Sequence, residues 1–209
     1  MLLVAQRQTA GRGRLGRAWQ AEPGASLTFS LGLPLAPADW SGLSLAVGVA
    51  VAECLEPRIG LKWPNDLWVD GRKLGGILVE TASLNAEPNP GAARYTVIGI
   101  GLNLAARAGE GLSTPPAALR ELWPGAQAGE VLLRVAPVLV EAVLDFQAMG
   151  FEAFRARYEA RDLLRGRAVT LSDGSAGTAL GVTGHGGLLV HTASGVSTVT
   201  SAEVSVRPA

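Results

Sequence analysis

Lysine is the rare cation of this chain: its only two, Lys62 and Lys73, lie eleven positions apart, and the remaining basic side chains are arginines. An ammonium is a compact point charge that can sit against one reacting oxygen, whereas a guanidinium is a wide planar fork. Lys62 opens the run Lys62-Trp63-Pro64-Asn65-Asp66, and Lys73 lies in Gly71-Arg72-Lys73-Leu74-Gly75-Gly76-Ile77-Leu78-Val79-Glu80. Pro64 and Asn65 force a turn that aims Asp66, so two lysines and an aspartate are expected at the ends of neighbouring strands. Gly75 and Gly76 inside a strand imply that a ligand or another backbone comes close there. Trp63 beside a lysine in an apolar strand points to a pocket wall. The plainer reading of the same residues is a hairpin carrying a surface ion pair.

A second cluster precedes it. Gly11-Arg12-Gly13-Arg14-Leu15-Gly16-Arg17 interleaves glycines with arginines, which gives it nothing to bury and much backbone freedom. Such a segment can wrap an anion, because glycine lets N–H groups turn toward phosphate and guanidinium forks match phosphate and carboxylate oxygens. It fits neither the Walker loop, which needs Gly-Lys-Ser/Thr, nor the dinucleotide fingerprint, which needs a helix directly after the glycines. The alternatives are a solvated basic loop and an arginine-glycine tail that touches RNA. The segment occurs once and runs into Trp19 and a strand, unlike a repeated tail.

The elements that must position these residues can be read from periodicity. Leu2 to Ala5 is a short strand, Leu27 to Leu33 alternates as a half-buried strand ended by Pro34 and Pro37, and Asp39 or Ser41 caps a helix to about Glu56. Ile59 to Trp63, Leu67 to Val69, Leu74 to Thr81 and Tyr95 to Leu104 read as further strands, with Asp70-Gly71 as a hairpin turn. Thr114-Pro115 reads as a cap with proline at the first helical position. Val131, Leu132, Val135, Val138, Leu139, Ala142, Val143 and Phe146 repeat at helical spacing, with Pro137 expected to kink the helix or mark its start. Phe151 to Arg161 is a last helix. Beyond Gly166, glycine-punctuated short strands suit a small β-barrel. The expected class is α+β: a β-sheet with packed helices over residues 1–163, then a barrel over residues 164–209.

Composition narrows the partners. Eighteen basic residues cancel eighteen acidic ones, so no overall field draws the protein to DNA, RNA or an anionic membrane. The single cysteine, Cys54, cannot form an internal disulfide, which suits a reducing compartment. The apolar run Leu43 to Ala52 is short of the roughly 20 residues that cross a bilayer, and the N-terminus lacks a signal-peptide pattern. A cytoplasmic protein is expected.

Together these residues resemble the biotin protein ligases, also called biotin–[acetyl-CoA-carboxylase] ligases. Gln8-Thr9-Ala10-Gly11-Arg12-Gly13-Arg14-Leu15-Gly16-Arg17 with Trp19 is similar to the family's biotinyl-adenylate loop, Lys62 to Asp66 to its KWPND motif, and Arg72 to Glu80 to its RKLGGILVE strand. Val97-Ile98-Gly99-Ile100-Gly101-Leu102-Asn103 is similar to its glycine-rich strand ending in an adenylate-contacting asparagine. The resemblance runs strongly from Gln6 to about Asn103. Lipoate ligases share the fold but carry a different loop, so biotin is favoured.

The resemblance implies a mixed sheet of the class II synthetase-like ligase type and an SH3-like C-terminal barrel. It implies activation of biotin by ATP to biotinyl-5′-AMP, with Mg2+ accompanying ATP, and transfer to a lysine of a biotin carboxyl carrier protein. By the same likeness Gln8, Arg12, Gly13, Arg14 and Lys73 bind biotin, while Gly11, Arg17, Trp19, Lys62 and Asn103 bind ATP or the adenylate. Lys73, Arg14 and Asp66 are the catalytic candidates: the first two stabilise the meeting of two anions, and Asp66 orients or deprotonates the carrier lysine. Lys62 is expected to hold Asp66 or a phosphate, and no protein metal ligand is assigned. In the family a strand and helix with a Ser-Thr-Asn biotin contact come before the segment matching Leu2, so the chain is expected to be N-terminally truncated. It is also expected to lack the helix-turn-helix domain that makes some members repressors. A homodimer is compatible with the sequence. The rival functions are a non-catalytic ligase-like scaffold and a nucleic-acid-binding module built on the arginine loop; neutral charge and the absence of stacking aromatics around the loop weigh against the latter.

Overall fold

Strand alternation builds the first layer. In the computed structural model, which describes residues 1–83, 92–106, 116–200 and 207–208, Leu27, Phe29 and Leu31 point inward from β2 (Ser26–Leu35). β2 joins β1 (Leu2–Ala5), β3 (Gly60–Lys62), β4 (Asp66–Val69), β5 (Arg72–Ser83) and β6 (Arg94–Asn103). The six form one sheet in the order β1-β2-β6-β5-β4-β3. Neighbours run antiparallel, and parallel bridges at the rim link Leu61 to Asp162 and Lys73 to Pro116. Asp70 (φ 47) and Gly71 (φ 74) make the left-handed turn between β4 and β5, as Asp-Gly requires.

One face of the sheet is covered by helices. α1 (Leu43–Leu55) is apolar nearly all round, with ten of its residues buried, as befits a helix between a sheet and a second helix. It packs on β3, β4 and β5 on one side and on α2 (Ala128–Met149) and α3 (Glu152–Glu159) on the other. α2 buries Val131, Val135, Leu139, Ala142, Val143 and Phe146, which belong to the stripe seen in the sequence.

Four boundaries differ from expectation. Pro34 lies inside β2, opposite Tyr95; β1 pairs β2 only as far as Leu31, so the missing proline N–H falls where no neighbour needs it. α1 is capped by Gly42 in a left-handed conformation (φ 82), while Asp39 accepts the Ser41 N–H at 2.8 Å in the turn before it. Pro137 lies inside α2 and does not mark its start; it and Leu133, whose carbonyl it leaves without the proline N–H, are exposed, so that carbonyl faces solvent. The last helix is shorter than Phe151 to Arg161. The Thr114-Pro115 cap lies outside the described residues.

The second sheet is formed by β7 (Ala168–Thr170), β8 (Ala176–Val182), β9 (Leu188–Thr192), β10 (Gly195–Val199) and β11 (Arg207–Pro208), in the order β10-β9-β8-β7-β11. The connection to it is fastened to the first sheet. Leu61 N–H donates to the Arg161 carbonyl at 2.8 Å and Leu163 N–H to the Leu61 carbonyl at 3.0 Å. The Arg161 guanidinium donates to the Ile59 carbonyl at 2.9 Å.

Candidate active site

A one-residue bulge aims Lys73. Asp66 faces Gly76 and Leu67 faces Gly75, but Trp68 faces Lys73, so Leu74 is an extra residue on β5. In a regular strand Lys73 and Gly76, three apart, would point to opposite faces; the bulge restores them to one. Leu74 goes into the core, fully buried. The Lys73 ammonium lies 2.6 Å from Asp66 Oδ1, with the two side chains 32% and 17% exposed, so a ligand can still reach the pair. A Cβ on Gly76 would stand 3.5 Å from Lys73 Nζ and 3.6 Å from Asp66 Oδ1.

The floor beside this pair is glycine. Gly76 faces Gly101 across β5 and β6, and Gly99 shares the same open face two residues away. A Cβ on Gly101 would collide with the Trp19 indole, so the ring rests directly on backbone. Gly75 points the other way, where a Cβ would come within 2.6 Å of the Gly101 carbonyl oxygen; of the two readings of that glycine pair, close backbone approach holds at Gly75. Asn103 lies at the end of β6, 1% exposed. Its Nδ2 donates to the Lys73 carbonyl at 3.2 Å, the same carbonyl that accepts the Ala117 N–H at 2.8 Å. Its Oδ1 is buried without a hydrogen-bond partner among the described residues, an acceptor that a ligand donor would satisfy.

The glycine-arginine segment is a closed hairpin. Trp19 N–H donates to the Gly11 carbonyl at 2.9 Å and Gly13 N–H to the Arg17 carbonyl at 2.7 Å. Leu15 (φ 56) and Gly16 (φ 70) form its left-handed tip. Arg12 and Arg17 are exposed, whereas Arg14 turns inward, its Nη1 3.4 Å from Asn65 Oδ1. Burial pulls the Arg14 guanidinium below its usual pKa, Asp66 opposes the shift, and Arg17 adds to it. Gln8 stands at the hairpin base, its Oε1 3.0 Å from where a Gly11 Cβ would be.

Lys73, Asp66, Arg14, Gly76, Trp19 and Asn103 thus line one side of the sheet. Lys62 lies with its ammonium 4.6 Å over the Trp68 ring, and Asp66 takes Lys73 as its ion-pair partner. Asn65, read in the sequence only as a turn residue, is the anchor of Arg14. Its Nδ2 donates to the Ile77 carbonyl at 2.7 Å, and its own carbonyl accepts the Ile77 N–H at 3.0 Å. The signal available was its place in the Pro-Asn-Asp turn, where a short amide can reach neighbouring backbone. A cleft of about 340 Å³ runs from Arg14 and Asn65 past Leu78 toward Trp40, Arg94 and Gly186. Trp63 is part of its wall, as expected. Among the described residues no three or more His, Cys, Asp or Glu side chains converge to cage a metal ion.

Residues 1–103 match the biotin/lipoate A/B protein ligase family, and residues 165–207 match the biotin protein ligase C-terminal domain. The chain is 30% identical over 223 residues to the biotin–[acetyl-CoA-carboxylase] ligase of Paracoccus denitrificans, a match covering 97% of this chain and 88% of that protein. It is 33% identical over 222 residues to the bifunctional ligase/repressor BirA of Escherichia coli, covering 99% of this chain but 66% of that relative's length. Among solved structures, the biotin protein ligase of Aquifex aeolicus in complex with biotin and ATP superposes with a TM-score of 0.83 at 32% identity, over 100% of this chain and 89% of that one. With the arginine hairpin, the lysine-aspartate pair and the glycine floor in the arrangement above, the chain belongs to the biotin protein ligases of the biotin/lipoate A/B protein ligase family.

Proposed function

We propose that this chain activates biotin with ATP to biotinyl-5′-AMP and transfers the biotin to a specific lysine of a biotin carboxyl carrier protein. The observation that carries the reading is the bulge-aimed Lys73 ammonium facing Asp66, with the inward Arg14 beside it. Attack of a biotin carboxylate on the α-phosphorus brings two anions together, so fixed cations between them favour the transition state over the separated reactants. In the ligand-free site Asp66 balances Lys73. Incoming carboxylate and phosphate oxygens compete for that ammonium and release Asp66, which then orients or deprotonates the carrier lysine in the second step.

We carry the other assignments over from the family resemblance. Gln8, Arg12 and Gly13 belong to the biotin side of the hairpin, Gly11 and Arg17 to the adenylate side, and Lys62 to the phosphate side. We assign Trp19 over Gly101 and the buried Asn103 oxygen, which lacks a partner among the described residues, to the adenine end. The site suits magnesium carried in on ATP: Mg2+ keeps several waters and is held largely through substrate phosphates, and the glycine floor beside Lys73 leaves room for a hydrated ion. When bound with ATP, the ion neutralises triphosphate charge and eases departure of pyrophosphate.

We divide the chain into a catalytic unit, residues 1–163, and a C-terminal barrel, residues 164–209, and assign a cytoplasmic setting. Among the described residues no helix is long and apolar enough to cross a membrane. The experiment mixes the protein with biotin, MgATP and an apo carrier domain. Biotin-dependent pyrophosphate release followed by a carrier mass gain of one biotinyl group is expected. ATP consumption indifferent to biotin, or an unmodified carrier, would overturn the reading.

A further inference from the structure

One buried hydrogen bond joins the barrel to the motif that holds Asp66. The Trp63 indole, 2% exposed, donates from Nε1 to the Gly186 carbonyl at 2.9 Å across 123 positions of sequence. Gly186 ends a tightly wound turn between β8 and β9: Thr183 N–H donates to the Gly187 carbonyl at 2.8 Å, Gly186 N–H to the Thr183 carbonyl at 2.9 Å, and Gly187 N–H to Thr183 Oγ1 at 3.0 Å. Gly186 is left-handed (φ 77), and a Cβ on it would lie 2.8 Å from the Gly42 Cα at the start of α1. Only glycine satisfies both the dihedral and the contact. His185 Nδ1 adds a 2.8 Å contact to Asp39 Oδ2 at the surface.

On the catalytic side, Trp63 begins a short relay. Pro64 follows, its carbonyl accepting the Ser44 hydroxyl at 2.9 Å. Asn65 comes next, with Arg14 Nη1 at 3.4 Å and the Ile77 carbonyl at 2.7 Å, and then Asp66 on Lys73. The barrel turn, the α1 start and β5 therefore grip four consecutive residues, of which the last two carry the arginine anchor and the ion pair. A buried indole N–H must find an acceptor, and here the acceptor comes from the C-terminal unit and not from the sheet that carries Trp63, so the docking of that unit and the placement of this segment are tied together.

We propose that the Thr183–Gly187 turn is a positioning element for the adenylate-forming site, acting through the Trp63 indole N–H on the Asn65–Arg14 anchor. Trp63 is a positioning residue: its indole bonds the barrel and its backbone sets Asn65. This rests on the biotin-activating reading above. Because the anchor places Arg14 where charge gathers during reaction, loosening it lowers kcat for pyrophosphate release more than it raises KM for biotin or ATP.

The test compares Trp63→Phe, which keeps a buried ring and removes the donor, and Gly186→Ala, which displaces the turn from the barrel side, each alone and combined with Asn65→Ala. Pyrophosphate release is normalised to the folded fraction. The expected result is a severalfold fall in kcat for either variant in the native background and almost no further fall in the Asn65→Ala background. A merely structural effect would multiply equally in both backgrounds, and that outcome overturns the proposal. For a measurement that needs no variant to fold, the Trp63 indole 15N–1H resonance of the wild-type protein is followed on adding biotin and ATP. It is expected to resist exchange and to shift; a rapidly exchanging or unmoved resonance also overturns the proposal. Wild-type protein that releases no pyrophosphate contradicts the biotin reading instead, and normal wild-type release with multiplicative variants contradicts the relay alone.

Discussion

The two faces of β5 and β6 obey opposite rules. On the helix-covered face Leu74, Ile77, Ile98, Ile100 and Leu102 are at most 3% exposed, and packing against α1 determines what each position tolerates. On the open face the same strands present Gly76, Gly99 and Gly101, the Trp19 ring and the Lys73–Asp66 pair. There the strands give up side-chain burial, and an indole lies on backbone. Period-two alternation makes the division possible, and the single bulge at Leu74 lets one lysine cross it.

The largest expected effect lies on the open face. Lys73→Ala should lower adenylate formation by about 10²–10³-fold, the scale for losing one charge-stabilising donor, while thermal unfolding barely moves. Lys73→Arg should not restore the rate, because a planar fork overfills a place shaped for a point charge. Asp66→Asn should slow transfer to the carrier by roughly 10²-fold, at the low end of general-base effects, and affect adenylate formation less. Single-turnover measurement of each step separates the two, and equal losses would assign Asp66 a metal-binding or structural role.

Arg14→Gly should act as a leak. It removes the inward guanidinium that we propose closes the hairpin onto the acyl phosphate, so the variant should still make some biotinyl-adenylate but release it. At matched rates of pyrophosphate release, more biotin should reach albumin from Arg14→Gly than from wild type; equal labelling would reduce the hairpin to an ATP-binding device. The smallest effects sharpen the contrast between neighbouring residues. Gly101→Ala should displace Trp19 and raise KM for ATP while leaving the melting temperature near that of wild type. Ile100→Val, one residue away on the other face, should cost about 1 kcal/mol of stability and leave KM unchanged. A reversal of this pair would undo the division of faces.

What the sequence made legible was local. The glycine-arginine run, the Asp-Gly turn, the α2 stripe and the run from Lys73 to Glu80 each carry their signal within about sixteen residues, where periodicity and turn chemistry operate. Pro34 was misread as a strand end because whether a missing N–H matters depends on where β1 stops, which β2 does not encode. Asn65 looked like turn chemistry because its partners, Arg14 and Ile77, lie 51 and 12 positions away. The Trp63–Gly186 bond had no local trace: a buried tryptophan and a glycine in a turn are each ordinary, and only the docking of the barrel makes them a pair. The bulge at Leu74 was equally silent, since Lys-Leu-Gly-Gly reads as an unbroken strand until the register with β4 is known.

Formation of an acyl-adenylate on the open face under Lys73 and Arg14 is tested most directly by looking for that species. Protein incubated with biotin and MgATP without carrier is passed through a desalting column and denatured, and the released small molecule is identified by mass. Close to one biotinyl-5′-AMP per wild-type molecule is expected, and almost none from folded Lys73→Ala. Recovery of unreacted biotin and ATP from wild type, or of equal adenylate from both proteins, would contradict it.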